Sequence, residues 1–323
     1  MKKNIVILFI LSFISLNFFS FEHFKTSIKV ESGVLNGTVN EYVFLDECKN
    51  TDNMLSMLVW DLIDIPYKEI TIELDIFNKF NLSFTGKFTD SYRSGCMQDY
   101  DWRNSDPQSP SSWHNEDPTE LTDYSIHKNK LNDFYSFRIA AGYNFNPHTS
   151  LKITPFAAWD YDYIYFTAYD GYGIYKSMNF NQINYNGKQI SYTNEFNSIM
   201  LGLKVAVYPI DKLSFSFIVM HNFGFGFNTA IDYHLGRQTV FWDDINFTGI
   251  VKVKSSVYFR VTKNIDLGLS YNIHVTPLKT GNNYQNELDS DGNIISKLFR
   301  PTSSLGGNSN NIWCGGISCS IKF

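Results

Sequence analysis

Alternation of apolar and polar residues is the sequence feature that most constrains how this chain can fold. In the clearest run, residues 70 to 76, isoleucine or leucine stands at every even position, and Thr71, Glu73 and Asp75 stand between them. Successive side chains of a β-strand point to opposite faces, so this period of two predicts a strand with one apolar and one polar face. The same pattern recurs over 82–89 and 199–207, and we therefore predict an all-β protein.

The segments between the predicted strands fall into two classes. The short turns lie at 78–81, 146–148, 209–212 and 262–264, and the longest polar segments at 91–130, 167–190 and 277–310. Short periplasmic turns, long extracellular loops and polar residues turned inward are typical of outer-membrane barrels. With about ten strands, we predict a ten-stranded antiparallel transmembrane β-barrel with a polar lumen, containing Glu73, Lys87, Lys204 and Lys322. A soluble β-sandwich would explain the alternation but not the asymmetry of the connections.

Residues 1–20 have the pattern of a secretory signal peptide. Lys2 and Lys3 give a positive tip, and an apolar run follows as far as Phe19. We expect cleavage near Ser20, which would leave 21–323 as a single outer-membrane barrel domain. An uncleaved anchor is the alternative, although the run is short for a helix that must span a bilayer with roughly 20 apolar residues.

The charge balance restricts the partners that the chain can have. It carries 27 basic and 32 acidic residues, a formal net charge of −5, and loss of Lys2 and Lys3 would make the mature chain more acidic. An acidic surface argues against nucleic acid and is compatible with a cationic protein or peptide substrate.

The four cysteines leave the disulfide state open. Cys314 and Cys319 lie at an odd spacing on one predicted strand, so their side chains point to opposite faces and cannot pair with each other. A bridge between Cys48 and Cys96 and a set of unpaired cysteines both remain compatible with a secreted chain.

Two short stretches carry the residues with the clearest potential for chemistry. In Met97-Gln98-Asp99-Tyr100-Asp101-Trp102, the two carboxylates share one side of an extended backbone, and such a pair tends to share a proton or to hold a water. In Ile231-Asp232-Tyr233-His234, Asp232 can orient the imidazole of His234 and stabilise its charged form, which makes His234 a candidate general base. We expect both stretches to lie in long loops that face each other across the mouth of the barrel.

Each stretch is weak evidence when taken alone. Acid-rich loops also bind calcium, and an Asp-x-His pair occurs in capped turns and at metal sites, although we predict no metal here. The chain contains neither Gly-x-Ser-x-Gly nor His-Glu-x-x-His. The remaining histidines are scattered singly and are predicted to lie at the surface or at loop bases: His114, His127, His148, His221 and His274.

Together, these stretches resemble the omptin family of outer-membrane aspartyl-type endoproteases. Met97–Trp102 resembles the family's Met-x-Asp-x-Asp-Trp, and Asp232-Tyr233-His234 resembles its Asp-Glu-His. The resemblance runs over essentially the whole mature chain, and its further matches are Leu35-Asn36-Gly37, Glu41 to Leu45, Trp113, Asp117-Pro118-Thr119, Tyr165 to Ala168 and Gly187 to Tyr192.

The resemblance implies a function and assigns roles. Asp99 and Asp101 would be the family's Asp couple, and Asp232 with His234 its dyad, which activates a water for attack on the peptide carbonyl. The family cleaves beside basic residues, and Glu41 matches one of the acids that hold the basic side chain. The second of these acids is replaced here by Ala230, which puts a strict preference for arginine or lysine in doubt.

We therefore expect a surface endopeptidase of the bacterial outer membrane, with its active site facing the exterior. The chemistry would need no cofactor, but the resemblance implies activation by lipopolysaccharide bound to the outer wall of the barrel. The alternative from another class is a catalytically idle barrel that serves as an adhesin or binding protein. A passive channel is a further alternative, but a barrel of about ten strands has an interior mostly filled by side chains.

Overall fold

The computed structural model describes residues 24–45, 54–102, 120–296 and 298–323. The predicted signal peptide, Cys48, Trp113, His114 and Asp117–Thr119 lie outside the described residues. Cys96, Cys314 and Cys319 are free cysteines, so the prediction that Cys314 and Cys319 do not pair with each other is confirmed.

The described residues form β-strands, and two of the connections between them contain a 3-10 turn. The strands are β1 (Phe24–Leu45), β2 (Met54–Ile76), β3 (Phe80–Thr89), β4 (Tyr92–Asp101), β5 (Asp123–Tyr143), β6 (Phe145–His148), β7 (Leu151–Tyr175), β8 (Gln182–Ile210), β9 (Leu213–His221), β10 (Gly226–His234), β11 (Thr239–Asn246), β12 (Val251–Arg260), β13 (Ile265–Glu287) and β14 (Arg300–Lys322). The 3-10 turns are Lys176–Met178 and Leu235–Arg237.

The strands pair antiparallel and close into a ring of ten segments. Four of the segments consist of two strands each. β3 and β4 both lie between β2 and β5, β6 extends β5 along β7, β9 and β10 both pair with β8, and β11 and β12 both pair with β13. β1 pairs with both β2 and β14, which closes the ring. The prediction of about ten strands agrees with this arrangement, and closure means that each of the ten described segments has a neighbour on both sides.

The strands are longer than the alternation alone predicts, and this corrects several predicted boundaries. The predicted loop 91–130 contains β4 and the start of β5, and the predicted loops 167–190 and 277–310 contain the ends of β7, β8, β13 and β14. The predicted run 70–76 is the end of the longer strand β2, which begins at Met54 and continues through Pro66. The physical reason is that backbone pairing continues where polar residues occupy both faces, so the strands persist after the alternation fades.

The two faces of the ring differ as predicted. Large apolar side chains on the outer face are exposed, among them Val30, Val34, Ile199, Leu201, Phe215, Phe217, Leu267, Leu269, Ile317 and Ile321. Charged side chains on the inner face form ion pairs: Lys204 with Glu73 at 2.7 Å, Lys87 with Glu69 at 3.2 Å, and Lys254 with Glu31 at 2.9 Å. The interior therefore contains a network of paired charges.

The connections at the two ends of the ring differ in length. One end has the connections 77–79, 149–150, 211–212 and 261–264. The other has the connections 176–181 and 235–238 and the described residues 288–296 and 298–299 of a longer one, and β1 and β4 also end there. We call the second end the open end of the ring. In the part of the chain that the structure describes, no helix is long and apolar enough to cross a membrane.

Candidate active site

Asp99 and Asp101 lie on the inner face of the ring at the open end. They are near the end of β4 and not in a loop, which corrects the predicted placement. Asp99 is 7% and Asp101 is 2% exposed, and both carboxylates point to the same side because alternate residues of a strand share a face. Asp99 stands between Leu58 of β2 and Ser125 of β5, and the Ser56 hydroxyl donates to its Oδ1 at 3.4 Å.

Asp232 and His234 lie at the end of β10, also on a strand where a loop was predicted. They are 2% and 7% exposed, and Nε2 of His234 contacts Oδ2 of Asp232 directly. Phe241 of β11 packs edge-on against the imidazole at a centroid distance of 5.6 Å. Donation of the Nε2 proton to Asp232 leaves Nδ1 as the nitrogen that can accept a proton.

Contacts at the open end bring the two stretches into one site. Arg237 follows the dyad in the 3-10 turn, and its Nη2 lies 3.7 Å from Oδ2 of Asp101. Glu41 is close enough to both stretches that the carboxylates of Asp232 and Asp99 each raise its pKa. Sequence reasoning did not select Arg237, because only the turn that folds back from His234 brings it towards the Asp couple.

Glu41 lies on the inner face of β1, opposite Leu58 and Asn308. It is 3% exposed. Burial, together with the nearby carboxylates of Asp232, Asp243 and Asp99, raises the pKa of Glu41 well above its usual value. Glu41 therefore favours its protonated form, and the protonated carboxyl group can donate a hydrogen bond to the carboxylate of Asp232.

Asp243 is a further carboxyl group in this site that sequence reasoning missed. It lies on β11 directly opposite Ala230 of β10 and is 3% exposed. Burial raises the pKa of Asp243 to about 7; the amide of Asn283, which donates at 2.6 Å, opposes this shift, and the Asp232 carboxylate adds to it. The signal that could have found it is the register of the β10–β11 hairpin, which brings residues distant in sequence together.

Ser125 and His127 form a second pair beside the Asp couple. Ser125 stands opposite Asp99 in the β4–β5 pairing, and its hydroxyl lies 3.0 Å from Nε2 of His127. The prediction that His127 is a surface or loop-base residue is wrong, because it is buried on the inner face of β5. Burial lowers the pKa of His127, so this imidazole favours its neutral form.

Aromatic rings form an apolar floor beneath these polar groups. Trp60 stacks on Phe166 at 5.3 Å and on Tyr192 at 5.7 Å, and all three side chains are fully buried. The hydroxyl of Tyr192 accepts hydrogen bonds from Asn194 at 2.8 Å and Asn308 at 2.9 Å. Because the floor excludes water, it accounts for the burial that raises the pKa of the carboxyl groups nearby.

The described residues contain no group of three or more His, Cys, Asp or Glu side chains arranged to hold a metal ion. The polar groups of the site are instead arranged as a buried imidazole with its carboxylate, a second carboxylate pair, and two acids, Glu41 and Asp243, at its edge. Such a set can accept a proton from a water and can attract a cationic group.

Comparison with solved structures shows the fold. The chain matches the outer membrane protease OmpT from Escherichia coli with a TM-score of 0.78 and 18% identity, covering 95% of this chain and 99% of that chain. The translocator domain of the autotransporter NalP from Neisseria meningitidis matches with a TM-score of 0.32 and 5% identity, covering 96% and 91% of the two chains. Of these two matches, the one to OmpT is close enough to bear on the architecture, and the protein has an OmpT-like all-β barrel fold.

Comparison at the level of sequence shows the family. No curated protein matches the chain. The sequence model of the omptin family matches residues 22–315, which is most of the chain. The protein therefore belongs to the omptin family.

Proposed function

We propose that this protein is an endopeptidase of the bacterial outer membrane that hydrolyses peptide bonds next to basic residues. Membership of the omptin family and the likeness of the fold to that of an outer membrane protease support the coarser statement, an outer-membrane protease. The observation that carries the finer one is the buried contact between Asp232 and His234 at the same end of the barrel as Asp99 and Asp101.

The orientation in the membrane is part of the proposal. The exposed apolar side chains of the outer face would lie in lipid, and the short connections would face the periplasm. The open end, with its long connections, would then extend beyond the bilayer into the exterior. This orientation would present the candidate site to proteins and peptides outside the cell.

The dyad would supply the base for hydrolysis. A water between the dyad and the Asp couple would lose a proton to Nδ1 of His234 as its oxygen attacks the peptide carbonyl. Asp232 would hold the ring and stabilise the imidazolium, which would then protonate the leaving amine. The second hydrogen of the water would be donated to the Asp couple, Asp99 with Asp101, which would orient the water for the attack.

Glu41 would help to select the substrate. Its carboxyl group is buried, and no Lys or Arg nitrogen among the described residues is within 4 Å of it. An arginine or lysine side chain of the substrate would supply the missing positive charge and stabilise the ionised form of Glu41. We also propose that lipopolysaccharide on the outer wall activates the barrel, as the resemblance to the family implies.

Cleavage of a peptide library tests the proposal. The refolded barrel is incubated with lipopolysaccharide, and the products are mapped by mass spectrometry beside the Asp232→Ala and His234→Ala variants. We expect cuts adjacent to arginine or lysine that disappear in both variants, because loss of a general base typically lowers the rate by about 10²–10⁴-fold. Equal cleavage by the variants would contradict the mechanism.

The same experiment addresses the alternative class of function. If the unmutated barrel cleaves nothing, with or without lipopolysaccharide, the protease proposal fails. The catalytically idle barrel that acts as an adhesin or binding protein would then be favoured.

A further inference from the structure

The hairpin of β10 and β11 places a carboxylate at a position that the sequence of β10 leaves empty. Ala230 lies two residues before Asp232, on the same face of β10, and offers no polar group to the site. Asp243 stands directly opposite it, and paired residues of neighbouring antiparallel strands carry their side chains on the same face, about 4.5–5.5 Å apart. The Asp243 carboxylate therefore enters the same part of the interior from the adjacent strand.

The surroundings of Asp243 hold its carboxylate in a defined position. The Asn283 amide donates to Oδ1 at 2.6 Å, and Oδ1 of Asn283 in turn accepts from the Thr302 hydroxyl at 2.7 Å. Gly306 leaves the space that the carboxylate occupies, since a Cβ atom there would lie 2.0 Å from Oδ1 of Asp243. The position is therefore built by three strands, β11, β13 and β14.

Asp243 differs from the buried acids deeper in the barrel in its lack of a cation. Glu31 and Glu69 contact Lys254 at 2.9 and 2.7 Å, and Asp160 contacts Arg138 and Lys252 at 2.6 and 2.9 Å. Among the described residues, no Lys or Arg nitrogen lies within 4 Å of the Asp243 carboxylate, and the charged groups that influence it are acids. Burial of a carboxylate without a cation is costly, so a purely structural role would gain nothing from this acid.

We propose that Asp243 and Glu41 together bind the cationic side chain of the substrate, so that Asp243 supplies from β11 the second acid that β10 lacks at Ala230. The inference rests on the proposed function, which provides the substrate. It deepens that function because a pocket with two acids prefers arginine and lysine more strictly than a pocket with Glu41 alone. Such a preference would arise from the substrate's charge neutralising two buried carboxyl groups at once.

Peptide binding in a His234→Ala background tests this inference without depending on cleavage. Two labelled peptides are compared that differ only in arginine or citrulline at one position, since citrulline keeps the shape and loses the charge. We expect the parental barrel to bind the arginine peptide more tightly, and Asp243→Asn to weaken that binding about 10- to 100-fold, as for loss of one hydrogen bond to a charged group. Binding of the citrulline peptide should change less than about threefold.

Two further variants make the test specific. Asp244→Asn removes the same charge from the neighbouring position, whose side chain lies on the other face of β11, and should leave the ratio of the two affinities unchanged. Asp243→Ala combined with Ala230→Asp moves the acid across the hairpin and should restore the preference that Asp243→Ala loses. This rescue would not be expected if Asp243 only maintained the local structure.

The outcomes separate the two proposals. Unchanged preference in Asp243→Asn, or equal loss in Asp244→Asn, would overturn the role of Asp243, and so would a parental barrel that binds both peptides equally. Cleavage by the unmutated barrel is scored separately, so a protease that selects basic residues without Asp243 is distinguished from a barrel that binds but does not cut.

Discussion

At the scale of single residues, the site is defined by acids that hold protons. Burial over the aromatic floor raises the pKa of Glu41 well above its usual value and that of Asp243 to about 7. Both groups lie at the open end, beyond the apolar outer face. When the site is empty, the proton on Glu41 reduces the repulsion of like charges. A cation that enters would displace this proton, so substrate charge and protonation are linked.

The raised pKa of Asp243 predicts a specific dependence of stability on pH. An acid whose pKa is about 7 in the folded state and 3.8 in the unfolded state binds its proton more tightly when folded, so its contribution weakens the folded state as pH rises between these values. The groups that face it are the carboxyls of Glu41 and Asp232 and the Asn283 amide. Asp243→Asn should therefore stabilise the barrel at pH 8 relative to the unmutated chain, by up to roughly 4 kcal/mol, and have little effect at pH 4.

Guanidinium unfolding in detergent micelles, followed by tryptophan fluorescence at both pH values, measures this difference. Asp244→Asn serves as the control and should change stability by a similar small amount at both. A stabilisation by Asp243→Asn that is as large at pH 4 as at pH 8 would contradict the assigned titration.

The sequence could reveal the residues that share a strand but not those that meet across strands. Asp99 with Asp101, and Asp232 with His234, are recognisable because a spacing of two fixes a common face whatever the rest of the chain does. Asp243, Ser125 and Arg237 enter the site through strand register or a turn, which no local spacing encodes. They could be recognised only once the pairing was in hand.

At the scale of elements, the strands explain both the successes and the errors in predicting the boundaries. Where the outer face is apolar and the inner face polar, alternation is strong, and the predicted run 82–89 lies close to the observed bounds of β3 (Phe80–Thr89). Towards the open end both faces are polar, so the pattern disappears although backbone pairing continues. This is why the Asp couple and the dyad, predicted in loops, lie on β4 and β10.

Gly306 of β14 lies against the Asp243 carboxylate, so we expect a larger residue at this position to weaken the preference for a basic side chain. In Gly306→Ala the new Cβ would overlap the Asp243 carboxylate, which must then move away from the position where it meets a substrate cation. We expect the preference for an arginine over a citrulline peptide to fall about tenfold, and the barrel to lose stability through overpacking.

Gly315→Ala on the same strand is the matched control. The nearest atom to its new Cβ is the Ser270 carbonyl oxygen at 3.8 Å, an ordinary contact. Gly315→Ala should leave the ratio of the affinities for the arginine and citrulline peptides unchanged, as measured in the same binding experiment. An unchanged ratio in Gly306→Ala as well would show that the position of the Asp243 carboxylate does not matter for selection.

At the scale of the whole molecule, the interior of the barrel has two regions that differ in their electrostatics. Deep in the barrel, acids and bases neutralise one another, as in the contacts of Lys252 with Asp160 at 2.9 Å and with Asp162 at 2.6 Å. At the open end, acids predominate and the aromatic floor separates them from the network below. The paired charges stabilise the interior of the frame. Glu41 and Asp243, which have no Lys or Arg nitrogen within 4 Å among the described residues, leave the open end ready for a cationic ligand.

The filled interior predicts that the protein is not a passive channel. Side chains of Glu31, Glu69 and Lys254 meet in the lumen with contacts of 2.7 to 2.9 Å, and a barrel of ten segments leaves little space beyond them. Planar bilayers containing the refolded protein should therefore show no steady open pores. Long-lived, uniform conductance steps would contradict this account of the interior.

The central claim is that the Asp232–His234 dyad activates a water for peptide hydrolysis, and its most direct test is the turnover of one arginine peptide. The rates of the unmutated barrel and of His234→Ala are measured with lipopolysaccharide under the same conditions, with Asp244→Asn as a variant outside the site. We predict that kcat falls by about 10³-fold or more in His234→Ala while KM stays within about threefold, because the base acts on the water and not on the bound side chain. Equal kcat values for the two proteins would contradict the claim.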